Sequence, residues 1–259
     1  PMTQEQSMIH SHSMEYIASQ YQDSTYALIC PATEVSKFKS ALRRQCNLIS
    51  IAFIDENDIL SLDYFKELAS VQGKNFGVDI DERMNLSWYY QQALKLAYLV
   101  MRPSNKPIVM LDADTEIVSN IRFFSCSRSV IYTTPYEHNI EYKKTAYHIT
   151  GRSRSGWMSS TVQFMSMTPS EYNYIVKGLT DYFPRVQGQP IGEWISILIL
   201  KSTLQCHQSL EGSFFGEMDL IAHIHCLNGL SPSKDLVFLR SRLTNYLSPR
   251  QKWIALLVG

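Results

Sequence analysis

Along residues 25–111 the apolar positions switch between strand-like runs and helical spacing three times. Thr25-Tyr-Ala-Leu-Ile-Cys30 is a short β-rich run stopped by Pro31, which predicts a first strand. Val35, Phe38 and Leu42 then fall at helical spacing within Glu34 to Arg44. Asn47 to Ile54 is a second apolar, β-branched run, and Ile59 to Val71 is helical again. After the turn-like Gly73-Lys-Asn-Phe-Gly77, a long helix is predicted from about Met84 to Met101, ended by Pro103 and Pro107. Ile108-Val-Met-Leu111 completes the series as a buried strand. Such alternation predicts the α/β class, with a largely parallel sheet covered by helices.

The second half is less regular. Ser129 to Thr134 and Thr161 to Met167 read as strands, separated by a polar stretch of about 25 residues, a length that in a compact domain marks a functional or mobile loop. Thr168-Pro-Ser-Glu171 carries a cap, a first-position proline and a capping-box acid, and opens a helix to about Phe183. Ile191 to Leu204 predicts a largely apolar helix, and Glu217 to His225 a final one. Beyond Lys234 a short strand and an amphipathic tail are expected. The tail around Lys252-Trp-Ile-Ala-Leu-Leu257 reads as a packed terminal helix, with rest on a membrane surface as the alternative. Residues 1–24 form a polar lead-in.

Composition narrows the functional classes. The 24 basic and 24 acidic side chains cancel, so the basic footprint of a nucleic-acid binder is missing. No apolar run reaches the ~18 residues of a membrane span, and the first 25 residues lack a signal peptide's apolar stretch. The chain opens on Pro1 rather than Met, which leaves a preceding segment open. Five widely spaced cysteines without a C-x-x-C pair argue against a disulfide framework or zinc site and predict a cytoplasmic protein. Neither phosphate-cradling glycine motif occurs, and Gly151-Arg-Ser-Arg-Ser-Gly156 is one residue too long for a hydrolase elbow. A phosphate ligand must therefore be met by a metal or by side chains.

One motif carries chemistry. Asp112-Ala113-Asp114 follows the strand Ile108 to Leu111 directly, at the carboxyl edge where α/β sheets bind ligands. Two carboxylates with one residue between them can face a divalent cation, which a nucleoside diphosphate then bridges; hard oxygen ligands suit Mg2+ or Mn2+. A second copy, Asp79-Ile-Asp81, follows no comparable strand and reads as a solvated loop. A haloacid-dehalogenase-type phosphatase also starts from an apolar strand and D-x-D. Here, though, Glu116 stands where that motif has Thr or Val, and Asp112 comes too late in the chain.

The helix Trp88-Tyr-Tyr-Gln-Gln-Ala-Leu-Lys-Leu96 followed by Val109-Met-Leu-Asp-Ala-Asp-Thr115 resembles the nucleotide-sugar-binding half of a GT-A-fold glycosyltransferase. More narrowly, it is similar to a bacterial group of nucleotide-diphospho-sugar transferase-like proteins with a W-x-x-Q-Q-x-x-K-L helix before an L-D-[AS]-D-T strand end. The similarity covers about residues 25–226. It implies one GT-A-like domain, with a Rossmann-type mixed sheet flanked by helices. Its nucleotide-sugar half would span residues 25–116 and its acceptor half 117–233, with 234–259 as a tail. Asp112 and Asp114 would help hold Mn2+ or Mg2+ on the diphosphate of a UDP-, GDP-, CMP- or dTDP-sugar. Pro31-Ala32-Thr33 would meet the nucleoside, and Gln91, Gln92 and Lys95 would lie beneath the donor, with Gln91 and Lys95 on one helix face. The acceptor would be a glycan or lipid-linked chain of a surface polysaccharide or glycolipid, at the inner face of the membrane.

An inverting transferase needs a carboxylate base. Among Glu193, Glu211, Glu217 and Asp219, Glu217 is favoured because it opens a helical stretch after Phe214-Phe215, with Glu193 second. The family's late Ser-Glu-Tyr motif is altered here to Gly216-Glu-Met218. A late His often completes such metal sites, which makes His223 or His225 a candidate third ligand; both cannot ligate, since they lie about 200° apart on a helix. Tyr136, Glu137, His138, Arg152 and Arg154 are candidates to shape the acceptor site, and Trp88 and Tyr89 read as packing residues before a stacking platform. A binding module that keeps the fold without turnover is the alternative function.

Overall fold

The computed structural model describes residues 14–16, 19, 25–43, 50–78, 80, 85–112, 115–117, 121–125, 128–130, 140–152, 164–206, 215, 220–221, 223–224, 239–241 and 254–258. Strand β1 (Thr25–Cys30) is followed by helix α1 (Ala32–Arg43) and strand β2 (Ser50–Asp55). The two strands pair in parallel, from Thr25 opposite Ser50 to Cys30 opposite Asp55. A 3-10 turn (Glu56–Asp58) leads to α2 (Leu62–Phe76) and α3 (Leu86–Met101), then to β3 (Ile108–Asp112). After the short strands β4 (Thr115–Ile117), β5 (Phe124–Ser125) and β6 (Arg128–Ser129) come α4 (Ile140–Thr150), β7 (Phe164–Met167), α5 (Pro169–Tyr182) and α6 (Ile191–Cys206). Strands β8 (Leu239–Ser241) and β9 (Ile254–Val258) close the chain. The protein is mixed α/β, with a five-stranded main sheet in the order β2-β1-β9-β3-β7.

Three expectations change. The terminal apolar run is a strand, β9, antiparallel to both β1 and β3, and not a packed helix. It inserts between the two strands that the alternating pattern makes neighbours, so among the described residues only β1 and β2 form a parallel pair. Strand β8 pairs with β4 in a separate two-stranded sheet, so the described residues after 234 lie in strands. The polar stretch read as a long loop contains α4; its apolar side (Tyr142, Ala146, Ile149) is buried, but polar outward positions mask the period. Gly73 lies inside α2 rather than in a turn, and it is glycine for close packing, since a Cβ there would meet the Val78 carbonyl oxygen at 2.6 Å. The helix instead ends at Gly77, whose φ of 67° is the left-handed C-cap geometry that glycine adopts without strain.

Residues facing opposite sides of the sheet feed two cores. Ala27, Ile29, Ile108, Met110, Met165 and Met167 face α2, α3, α5 and α6. Tyr26, Leu28, Cys30, Val109, Leu111 and Phe164 face Phe38 of α1 and Phe123. Helix α6 packs against α2, α3 and α4 together, which explains why its sequence is apolar on nearly every side. Met14 joins the second core and Tyr16 packs against it, so the lead-in is not wholly polar. Among the described residues no helix is long and apolar enough to cross a membrane.

Helix α5 begins with the predicted capping box: the Thr168 side chain accepts from the Glu171 amide, and Glu171 accepts from the Thr168 amide at 2.7 Å. Glu171 also accepts from the amide and hydroxyl of Ser129, stapling β6 to the helix. Burial pulls its carboxyl upward, but the hydrogen bonds from Ser129 and Thr168 outweigh it and hold the group below the usual range. Its stabilisation is therefore complete above the unfolded value of ~4.3 and disappears as pH falls through the lower folded value. Ser129→Ala is expected to lower Tm at pH 7 by a few degrees, and thermal melts should show the difference shrinking below pH 4. A pH-independent deficit would contradict this assignment.

Candidate active site at the carboxyl edge of the sheet

Because β9 is antiparallel to both β1 and β3, the latter two run in the same direction, as does β2. Their carboxyl ends, Cys30, Asp55 and Asp112, therefore emerge at one edge. Asp112 pairs with Ile254, which also pairs with Ile29, so the register places them in one row. By alternation Asp112 shares the face of Ile108 and Met110, towards α3.

On that face the ammonium of Lys95 pairs with Asp112 Oδ1. The Lys95 side chain is only 3% exposed, whereas Asp112 is 26% exposed. Helix α3 is buried continuously from Gln92 to Leu99, so Lys95 lies within apolar surroundings with its head directed at the strand end. This changes the expected role of the helix. Gln92 is fully buried and Gln91 half-buried, so Lys95 does not share an open face with Gln91 that reaches outward. It sits under Asp112 and compensates that carboxylate. No described residue hydrogen-bonds Asp112 Oδ2, so one hard oxygen of the kind that suits Mg2+ or Mn2+ is in place.

The same edge carries acids that the sequence reading passes over. Asp55 caps the 3-10 turn, accepting from the Asn57 amide at 2.9 Å and its side-chain nitrogen at 3.0 Å. Burial, then the neighbouring Asp55, raises the Glu56 carboxyl above its ordinary range. Burial also pushes the Cys30 thiol up to about 12, reinforced by Glu56, Asp55 and Glu34; that thiol is inert as a nucleophile at neutral pH. The signal was present in the chain: Ile54-Asp55-Glu56 repeats the apolar-strand-then-acid pattern of Leu111-Asp112. In the order β2-β1-β9-β3, Asp55 stands three strand spacings from Asp112, about 14 Å. The two acids therefore belong to separate parts of the edge.

Pro31 is half-buried, while Ala32 and Thr33 are exposed in the first turn of α1, two strand positions from Asp112. Trp88 donates its Nε1–H to the Phe215 carbonyl at 2.9 Å, and Tyr89 is fully buried, so both serve packing. That bond ties Phe215 to the start of α3, seven residues and about 10 Å along the helix from Lys95.

Glu193 is a poor base. Tyr64 donates to its Oε2 at 2.7 Å and Gln189 to Oε1 at 2.9 Å, and these bonds hold the carboxyl below its ordinary range. His223 is 1% exposed, and its Nε2 lies 2.8 Å from the Arg152 carbonyl and 3.1 Å from Thr150 Oγ1. A carbonyl only accepts, so Nε2 carries the proton and is not a metal ligand in this arrangement. Ala113, Asp114, Glu217, His225, Tyr136, Glu137, His138 and Arg154 lie outside the described residues. Among the described residues no three His, Cys, Asp or Glu side chains gather as a metal-holding group.

Comparison with protein-family models, curated proteins and solved structures returns no match. The functional reading therefore rests on the edge itself.

Proposed function

We propose that this carboxyl edge binds the diphosphate of a nucleotide sugar, and that the protein is a metal-dependent glycosyltransferase acting on a glycan or lipid-linked acceptor. The observation that carries the reading is the Asp112 carboxylate. It ends an inner strand, remains a quarter exposed, has one oxygen that no described residue hydrogen-bonds, and is held from below by a buried lysine. Side chains at the carboxyl edge of an α/β sheet are where ligands are met, and Asp112 is both accessible and oriented there. The exposed Ala32 and Thr33 lie along the same edge, in the position suited to a nucleoside whose diphosphate reaches Asp112. A divalent cation held by Asp112 and Asp114 would stabilise the leaving diphosphate as a Lewis acid. Surface-polysaccharide or glycolipid assembly at the inner membrane face is the setting the resemblance implies. The free thiols of Cys30 and Cys206 suit a reducing compartment.

The low basicity of Glu193 favours a second reading, a nucleotide-sugar-binding module without turnover. Under the first reading the base is Glu217, and Glu217→Ala abolishes sugar transfer while donor binding persists. A thermal-shift panel of UDP-, GDP-, CMP- and dTDP-sugars, with and without Mn2+, tests the shared premise. One donor class is expected to raise Tm by several degrees only with the cation present, which corresponds to about 2–3 kcal/mol at a hundredfold excess over Kd. No shift with any nucleotide, together with phosphatase turnover, would replace both readings by Asp112 acting as a phosphatase nucleophile.

A further inference from the structure

The two edges of the main sheet differ. Strand β7 is buried at all four positions, β6 packs beside it, and Ser166 in its middle donates to the Phe123 carbonyl at 2.8 Å. Strand β2 lies at the opposite edge and, among the described residues, pairs with β1 alone. Ser50 is exposed and Ile51 to Asp55 are half-buried throughout, whereas β1 and β3 inside the sheet are buried along most of their length. The register of β2 against β1 is continuous, so no bulge bends this edge. Nor does Ser50-Ile-Ala-Phe-Ile-Asp55 contain a lysine or a proline. Bulges, lysines and prolines are the devices that keep an edge from pairing with another chain. Helix α1 shields one face, with the Lys39 ammonium 5.5 Å from the Phe53 ring centre, but no described backbone group bonds the outer side of β2.

We propose that β2 pairs with β2 of a second copy, antiparallel about a two-fold axis, which joins two five-stranded sheets into one. The strand is complementary to itself. Opposite residues of an antiparallel pair point to the same face, so the two-fold axis must pass a residue that faces its own copy. With Ala52 on that axis, Ile51 stands opposite Phe53 and Phe53 opposite Ile51, two aromatic–β-branched pairs of the kind that stabilise sheets. Asp55 then lies beyond the paired stretch, and the two acids sit at opposite ends of it rather than together. The chain's 24 basic and 24 acidic side chains cancel, so no net charge drives two copies apart. Because β7 is covered, the pairing closes at two copies instead of growing from edge to edge. The carboxyl ends of the two sheets point in opposite directions, which keeps the two candidate sites apart.

Sedimentation velocity of the full chain between about 5 and 200 µM, with hydrogen exchange read at both ends of that range, tests the pairing. Wild type is expected to pass from monomer to dimer, and amides of β2 to exchange at least about tenfold more slowly at the high concentration. Ala52→Lys sets two ammonium groups opposite each other and should stay monomeric, as should Ala52→Glu. An equimolar mixture of the two should dimerise again. That rescue separates lost pairing from a folding defect, and circular dichroism of each variant checks the fold directly. A wild type that is monomeric throughout would overturn the proposal. So would a dimer whose β2 amides exchange alike at both concentrations, or growth into larger assemblies. An Ala52→Lys protein that dimerises as wild type does would also overturn it, as would a mixture of folded variants that stays monomeric. If neither variant folds, the wild-type exchange measurement decides alone.

Discussion

Asp112→Ala is expected to lower Tm by roughly 6–12 °C, more than Lys95→Met despite the smaller side chain removed. Deleting the acid takes a countercharge from an ammonium that is only 3% exposed, on a stretch of α3 buried from Gln92 to Leu99. Breaking a buried ion pair from one side costs about 3–5 kcal/mol. The lower end applies because Asp112 is a quarter exposed and water can partly follow. In a chain of this size each kcal/mol moves Tm by about 2–4 °C. Lys95→Met has the opposite character: an apolar side chain of similar length fills the space, and the remaining carboxylate can turn to solvent, for about 1 kcal/mol or less. Asp112→Asn keeps an acceptor for the ammonium and should fall between the two. Paired thermal melts decide the matter, and an equal or larger loss for Lys95→Met would show that the pair is not buried as described.

Gly192→Ala is expected to destabilise by about 2–3 kcal/mol, the upper part of the range for overpacking. A Cβ at this position would lie 2.3 Å from the Ile59 carbonyl oxygen and 3.2 Å from Leu60 Cβ, and the first of these is backbone. The start of α6 would have to retreat from the segment that follows β2. That segment also supplies the Leu60 carbonyl to the Tyr90 hydroxyl at 2.8 Å, so the shift would be felt at the acidic rim as well. Gly178→Ala in α5 is the matched control. Its nearest neighbours stand at 3.6 Å, ordinary contact distance, so the better helix propensity of alanine should leave stability unchanged or raised by up to about 1 kcal/mol. Chemical denaturation of both variants separates the two cases. A Gly192→Ala protein as stable as wild type would mean that α6 does not approach the β2 connection so closely.

Much of this arrangement was readable in the chain, and the failures have definite causes. The first three strands and helices and the α5 capping box follow from local chemistry, namely apolar period, proline stops and Thr168 with Glu171. The place of β9 does not, because Ile254-Ala-Leu-Leu-Val258 is apolar at every position and its partners lie far back in sequence. Length and composition fit a packed helix and an inner strand equally well, and only long-range pairing decides. Asp112 was legible from its strand context. Lys95 was visible as a motif position, but its burial was not. Helical spacing places it on a face with Gln91, whereas the apolar residues on every side of α3 draw that part of the helix inward. Asp55 and Glu56 carried the same strand-then-acid signal as Asp112, without a second acid two residues later to draw attention.

The central claim is that Asp112 anchors a nucleotide-sugar diphosphate through a cation at the carboxyl edge. Isothermal titration of the best donor from the thermal-shift panel into wild type and Asp112→Asn, each with Mn2+, tests it most directly. Asn keeps the strand end folded and offers Lys95 an acceptor, so lost affinity would report on the charge alone. A loss of at least tenfold in Asp112→Asn, matched by a similar loss in wild type when Mn2+ is chelated, is the predicted result. Donor binding of equal affinity in both proteins would contradict it.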